Sequence, residues 1–292
     1  MEKNMPSVKL NMAMNMMLTA SSIIFPIISL PYVSRVLGPE YLGKVYFGNS
    51  VVMFFAMLAE LGIPVYGIRA CAKVRDDRIE LSRTVHEILI INLVTCIIVY
   101  AAMTVSVMTV PKLSQERTVI AALSGIIILN ALGIEWMYKA IEKYSYITIR
   151  SLVFKLIALM SLFALVRAPD DYIIYAVITI FAASASNILN IINAHNYIEF
   201  RPVGGYRYKR HLSGLLYLFM MAAAVNIYTN MDLAILGFIK GDAAAGCYGL
   251  AVKVKIALVS LTTSVSAVLL PRTSFYYEKG YKDEFTRLIA LH

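Results

Sequence analysis

Charged residues are scarce in this chain of 292 residues, where Asp, Glu, Lys and Arg together make up 15%. A soluble protein of this size carries roughly 25% charged residues, whereas here 59% of residues are hydrophobic and the mean hydropathy is +0.70. Apolar runs of more than ~18 residues recur along the chain, which predicts several membrane-spanning segments. The runs lack the alternation typical of barrel strands, and a bilayer leaves no backbone polar group unpaired, so we expect helices.

Cysteine and histidine are also too few and too scattered to indicate a bound group. The three cysteines (Cys71, Cys96 and Cys247) lack disulfide or metal spacing, and the four histidines form no ligand pair. We therefore predict no metal, cofactor or disulfide. The net charge of +9 is explained by positively charged cytoplasmic loops, so no nucleic-acid partner is expected. The apolar stretch after Lys9 lacks a cleavage motif and is predicted to remain as the first span.

These patterns predict an all-α membrane protein with eight transmembrane helices in the sequence given. Each predicted helix is long enough to cross ~30 Å of hydrocarbon with some tilt. The predicted ranges are about 10–37, 42–67, 84–110, 118–138, 147–167, 172–194, 212–238 and 244–270.

The loops divide sharply by positive charge, which predicts the orientation of the helices. Eighteen Lys and Arg residues lie in the N-terminus and in the loops after helices 2, 4, 6 and 8, against six in the opposite loops. The N-terminus is therefore predicted to be cytoplasmic. The opposite loops are only a few residues long, so no sizeable extracellular domain is expected. The six residues there are Arg35, Lys44, Lys112, Arg117, Arg167 and Lys240.

A six-residue turn recurs 203 positions along the chain, which indicates an internal repeat. The two copies are Gly38–Gly43 and Gly241–Gly246, and the same shift places Arg69 on Arg272. The loop 197–211 contains Pro and Gly residues typical of a linker. We predict a six-helix bundle over 1–196, a cytoplasmic linker over 197–211 and the start of a second, parallel bundle over 212–292. About twelve helices are expected in a full protein, so we expect this sequence to be truncated.

Several motifs in combination resemble one family of transporters. They are Pro31–Gly43, Glu60–Arg69 with Lys73–Arg78, Gly133–Tyr138 with Glu142–Arg150, Tyr228–Gly237 and Leu269–Arg272. This set resembles the Wzx-type polysaccharide-biosynthesis flippases, which export O-antigen and capsule repeat units. The resemblance implies a two-bundle member of the multidrug/oligosaccharidyl-lipid/polysaccharide exporter superfamily. It also implies a substrate, an undecaprenyl-pyrophosphate-linked oligosaccharide moved from the inner to the outer leaflet of the cytoplasmic membrane of a prokaryote.

Basic residues inside or beside the predicted spans are candidates for binding such a diphosphate. A lysine in a bilayer needs water or a partner. Lys253 lies about 14 Å into the eighth predicted helix at 1.5 Å per residue, and Lys255 is rotated from it by ~200°. We assign both to a cationic cavity, with pairing to Asp232 as the alternative. Arg35 is a third candidate, or else an interfacial arginine, and Lys155 is expected to extend toward the cytoplasm.

Three acidic residues are candidates for coupling transport to an ion such as H⁺ or Na⁺. Glu60 and Asp232 are acids inside predicted spans, where a carboxyl can carry a proton or form a structural pair. Glu135 lies beside Trp136, which is more typical of an interfacial anchor than of a site.

The leading hypothesis is therefore a flippase working by alternating access, not an enzyme. Its expected partners are the lipid-linked oligosaccharide, membrane lipids and the polysaccharide polymerase machinery. The alternatives are a teichoic acid, lipid II or cationic-drug exporter of the same superfamily, a membrane enzyme of the same pathway, or a scaffold. A drug exporter would have an acidic cavity, and an enzyme would have a large outer loop.

Overall fold

The computed structural model describes residues 8–256 and 258–259. Regular structure in these ranges is helical throughout, without strands, and this confirms the all-α prediction. Five helical stretches are long and apolar enough to cross a membrane, and Arg117–Gly133 is a shorter apolar helix. The five are Leu10–Ala72, Arg78–Thr109, Tyr144–Leu165, Pro169–Ala194 and Lys209–Lys240. The chain is therefore a multi-pass membrane protein.

The helices are numbered in chain order. They are α1 Val8–Glu60, α2 Ile63–Ala72, α3 Arg78–Thr109, α4 Pro111–Gln115, α5 Arg117–Gly133, α6 Glu135–Ala140, α7 Tyr144–Leu165, α8 Tyr172–Ile180, α9 Asn187–Ala194 and α10 Lys209–Lys240. A further helical stretch, α11, begins at 242 and is described to 256. A 3₁₀ turn, Pro169–Asp171, precedes α8, and a π-helical turn, Phe181–Ala185, joins α8 to α9.

The long helix α1 consists of two antiparallel arms that meet at Gly38. Gly38 has φ 70° and ψ 174°, a backbone conformation that only glycine adopts readily. Glu142 accepts a hydrogen bond from Asn11 (3.4 Å) and forms an ion pair with Arg75 (2.6 Å). Residue 11 lies about 40 Å of helix from Gly38 at 1.5 Å per residue. Both residues can reach Glu142 only if the chain reverses at Gly38.

Three predicted helices are interrupted, in two cases where another helix packs closely. The second predicted helix breaks at Leu61 (φ 46°) and Gly62 (φ 74°), where a Cβ on Gly62 would lie 2.7 Å from the backbone nitrogen of Phe219 in α10. The fourth breaks at Ile134 (φ 37°). The preceding Gly133 packs directly on the Asn187 side chain. The sixth contains the π-helical turn between α8 and α9.

The helix α3 begins and ends at residues with clear capping roles. The Asp77 side chain accepts hydrogen bonds from the backbone N–H groups of Ile79 (2.9 Å) and Glu80 (3.1 Å), which are otherwise unpaired at a helix start. The helix ends at Thr109, before the residue that precedes Pro111, because that position disfavours helical backbone. Because Asp77 caps its start, the third helix begins at Arg78, whereas its predicted start was residue 84.

The chain divides into two units, 1–249 and 250–292. In the first unit, the segment predicted as a linker is attached to the start of α3. Arg78 pairs with Glu199 (2.9 Å), and Arg83 Nε donates to the carbonyl of Gly204 (2.8 Å). The division at 196 and 211 stays a prediction. The predicted end of the eighth helix and Arg272 lie outside the described residues.

Two ends of the first unit are named here for later use. The turn end contains Gly38, residues 110–117, residues 166–171 and Gly241. The basic end contains residues 73–77, 141–143 and 195–208.

At the turn end the two copies of the six-residue turn contact each other reciprocally. Gly241 (φ 82°, ψ −175°) has nearly the same backbone conformation as Gly38. A Cβ on Gly43 would lie 1.7 Å from the Asp242 carbonyl oxygen, and a Cβ on Gly246 would lie 1.9 Å from the Pro39 carbonyl oxygen. The shift of 203 positions that relates Gly43 to Gly246 also relates Pro39 to Asp242. Equivalent residues therefore make equivalent contacts.

We predict that Gly43→Ala lowers the free energy of unfolding by about 1–3 kcal/mol, because the added methyl group must displace backbone atoms. Thermal unfolding of the purified chain in detergent measures this. Gly125→Ala is the matched control, since the nearest atom to a Cβ there is 3.9 Å away. Equal melting temperatures for Gly43→Ala and the unaltered chain would contradict the close crossing.

Candidate functional site

Arg150 is a charged residue buried among helices of the first unit. It lies in the second turn of α7, within the fifth predicted helix, and it is only 5% exposed. One guanidinium nitrogen donates to Ser186 Oγ (2.8 Å) and Asn187 Oδ1 (3.1 Å). The other donates to Glu135 Oε2 (3.1 Å). Glu135 also pairs with Lys139, at 2.8 Å. The buried charge is thus neutralised by a neighbouring helix.

Further hydrogen bonds connect Asn187 to Glu60 through Asn130. Asn187 Nδ2 donates to Asn130 Oδ1 (3.3 Å), and Asn130 Nδ2 donates to Glu60 Oε1 (3.3 Å). Ser184 Oγ donates a second hydrogen bond to Asn130 Oδ1, at 2.8 Å. In the described part of the chain, Glu60 pairs with no cation. One end of the series is therefore an ion pair and the other is a carboxyl group without a counter-charge.

We call these connected side chains the polar network: Glu60, Asn130, Asn187, Arg150 and Glu135. Its members come from α1, α5, α9, α7 and α6, so it links five helices. Two residues predicted as separate candidates, Glu60 and Glu135, are its two ends. Asn130 and Asn187 were missed by sequence reasoning, although polar amides inside apolar spans are the signal that identifies them.

Trp136 and Lys155 occupy different surroundings from those expected. Trp136 is buried against α2, where a Cβ on Gly67 would lie 2.5 Å from its ring, so it is a core residue and not an interfacial anchor. Lys155 does not extend toward the basic end. Its Nζ donates to Ser21 Oγ (2.8 Å) and Ser22 Oγ (2.7 Å) of α1. A cation is thereby held between α7 and α1 by two neutral hydroxyls.

The remaining predicted site residues are exposed, and the two in the first unit, Arg35 and Asp232, make no hydrogen bond or ion pair with the polar network in the described part of the chain. Arg35 lies in the last turn before Gly38. Asp232 accepts a hydrogen bond from the Tyr248 hydroxyl. Lys253 and Lys255 belong to the second unit, and both side chains are exposed. Their assignment to a cationic cavity stays a prediction.

The turn end carries a group of charges of its own. Lys112 pairs with Asp242 at 2.7 Å, which connects α4 to the start of α11. Burial raises the pKa of the nearby Glu116 carboxyl, and the Asp242 carboxylate raises it further, whereas Lys44 and Lys112 lower it. These contacts add an electrostatic connection to the crossing of the two turns.

An apolar cavity of about 250 Å³ lies between the second arm of α1, the end of α3 and α10. Phe54, Phe55 and Phe238 form much of its wall, and Asn226 and Asn230 are among its polar residues. Its shape and composition suit a chain of hydrocarbon more than a charged group.

Comparisons with known proteins agree over nearly the whole chain. A family model described as "Polysaccharide biosynthesis protein" matches residues 8–276. A protein of Escherichia coli (strain K12) is 23% identical over 276 residues, 94% of this chain and 66% of that protein. One of Shigella dysenteriae is 25% identical over 270 residues, 91% of this chain and 67% of that protein. Both are named "Putative O-antigen transporter". The match spans about two-thirds of these relatives, and no solved structure matches the chain significantly.

We predict that Arg150→Met lowers the free energy of unfolding by about 3–5 kcal/mol, because it leaves buried acceptors of the polar network without their donor. The measurement is thermal or denaturant unfolding in detergent. The double variant Arg150→Met/Glu135→Gln should recover part of the loss, since it also removes the carboxylate. Arg117→Met, at an exposed arginine, is the control. A single variant as stable as the unaltered chain would contradict a structural role for Arg150.

Proposed function

The chain belongs to the polysaccharide biosynthesis protein family, and from this premise we propose that it is a flippase for lipid-linked oligosaccharides. Its substrate is an undecaprenyl-pyrophosphate-linked repeat unit, moved across the cytoplasmic membrane by alternating access for O-antigen, capsule or exopolysaccharide synthesis. The observation that carries the proposal is the family match over residues 8–276, together with two relatives whose names refer to O-antigen transport. No covalent step is required, so the protein is not an enzyme.

The proposed architecture has a first six-helix bundle followed by the start of a second, parallel repeat. The matching conformations of Gly38 and Gly241 and the reciprocal contacts of Gly43 and Gly246 support the repeat. In the proposed orientation, the basic end faces the cytoplasm, as the excess of Lys and Arg there favours. The turn end, with the contact between the two turns, then lies at the outer face.

The substrate has three chemically different parts, and we assign each to a different surface. The diphosphate requires cations accessible to water, for which Lys253, Lys255 and Arg35 are the proposed residues. The polyprenyl chain remains in lipid or in an apolar groove, and the cavity lined by Phe54 and Phe238 supports such a groove. The oligosaccharide occupies the space between the bundles.

The proposed coupling ion is H⁺, carried by Glu60, with Na⁺ as the alternative. Three observations support this assignment. Glu60 lacks a cationic partner among the described residues, whereas Glu135 is paired with Arg150 and Lys139. Glu60 also precedes the break at Leu61 and Gly62, where α10 packs on the backbone. A change in its charge therefore occurs beside the contact between the first bundle and α10.

We predict that Lys253→Ala reduces surface polysaccharide at least about tenfold while the protein remains inserted, because removal of one ionic contact to a diphosphate costs more than about 1.4 kcal/mol. The measurement is complementation of a bacterial strain that lacks its own O-antigen transporter. Lys240→Ala, which removes an exposed lysine at the end of α10, is the matched control. Full complementation by Lys253→Ala would overturn the assigned role. Failure of the complete gene product to restore surface polysaccharide would overturn the proposed function.

A further inference from the structure

A second cavity lies at the basic end, between α2, the start of α3 and the start of α10. Its volume is about 350 Å³, and it is distinct from the apolar cavity and from the polar network. The residues of its wall that bear on its chemistry are Tyr66, Arg69, Lys73, Thr84, Arg210 and His211. Three of these six are permanent cations, and none of the described residues that line the cavity is acidic. The wall is therefore suited to an anion.

Two of the cations are available for a ligand. Arg69 lies in the last turn of α2, and Lys73 follows the helix directly with helical backbone (φ −69°, ψ −24°), so the two residues lie on the same face, one turn apart. Both are exposed, and neither forms a hydrogen bond or ion pair within residues 8–256 and 258–259. Arg210 faces them from α10. Its guanidinium pairs with Glu87 (2.7 Å), which leaves the cavity with an excess of positive charge.

A buried group of side chains holds the wall of the cavity in place. His211 is 3% exposed, and its Nε2 lies 2.6 Å from Glu87 Oε2. Its Nδ1 lies 2.8 Å from the Tyr66 hydroxyl. Tyr66 itself packs on Gly214, where a Cβ would lie 2.5 Å from its ring. Because α2, α3 and α10 are connected through these residues, the cations are positioned before any ligand arrives, which lowers the entropic cost of binding.

The rest of the wall indicates that the anion is attached to a lipid. Tyr217 and Leu218 of α10 also line the cavity, and Tyr217 is 67% exposed. They lie on an apolar span, Lys209–Lys240, close to its start at the basic end. A ligand with its phosphate on Arg69 and Lys73 would have its hydrocarbon chain beside these residues.

We propose that this cavity binds the phosphate or diphosphate group of a membrane lipid at the basic end. The inference rests on the proposed function in two respects: the orientation of the basic end in the membrane, and one of the two possible ligands of the cavity. The first ligand is the polyprenyl diphosphate of the substrate, captured before it enters the space between the bundles. The second is an anionic phospholipid, which presents the same phosphate chemistry.

The test measures binding of a fluorescent polyprenyl diphosphate to the full chain in nanodiscs made of zwitterionic lipid. Arg69→Ala/Lys73→Ala should raise the Kd about tenfold or more, since it removes two charge-assisted contacts. Arg69→Lys/Lys73→Arg keeps the charges and should bind within about threefold of the unaltered chain. Arg201→Ala/Lys209→Ala is the matched control, because it removes one exposed cation of the basic end and one at the adjoining start of α10, neither of which lines the cavity. Its Kd should not change.

Competition distinguishes the sources of the phosphate. If phosphatidylglycerol displaces the probe only in chains that retain Arg69 and Lys73, the site accepts phospholipid. If it does not compete, the site selects the polyprenyl diphosphate. Binding of phosphatidylglycerol without any binding of the probe would support the cavity and contradict the proposed substrate. Equal Kd values for the alanine pair and the control pair would overturn the inference. So would displacement by inorganic diphosphate as effective as by either lipid.

Discussion

The burial of a charged arginine inside a membrane protein is the constraint on which the first unit depends. Hydrocarbon offers no solvation, so Arg150 must receive its partners from other helices. Glu135 supplies the opposite charge, and Ser186 and Asn187 supply acceptors. Glu135 fixes the position of α6 relative to α7, and Ser186 and Asn187 fix the position of the start of α9. Asn130 then extends the same hydrogen bonds to Glu60, so that the bundle is joined by polar contacts between apolar surfaces.

Glycine residues provide a second kind of contact, in which the backbones of two parts of the chain approach each other closely. Gly43 and Gly246 let the two turns cross at the turn end, and Gly62 lets α10 approach the break after α1. Lys112 adds an ion pair with Asp242 at the turn end, and Phe47 packs on Phe238 of α10 with ring centroids 5.1 Å apart. The approach of α10 to α1 therefore combines glycine contacts with large apolar side chains.

Hydropathy predicted the class of the protein and most spans, because an apolar run long enough to cross a bilayer can be recognised from the local sequence alone. The repeat of Gly38 at Gly241 was also detectable, since turn chemistry is local. The break at Ile134 and the burial of Arg150 were not, because each depends on a helix distant in sequence. The burial of Trp136 could not be predicted for the same reason, because its packing partner, Gly67, lies about seventy residues earlier in the chain.

The polar network connects Glu135, a carboxylate paired with Arg150 and Lys139, to Glu60, which has no cationic partner among the described residues and which we propose carries the coupled proton. Transport of lipid-linked oligosaccharide in vesicles as a function of the imposed pH gradient tests this role of Glu60. We expect Glu60→Gln to transport at least about tenfold more slowly and no longer to respond to the gradient. Glu40→Gln, at an exposed glutamate of the turn end, should respond like the unaltered protein. A Glu60→Gln protein whose transport still follows the pH gradient would contradict the account.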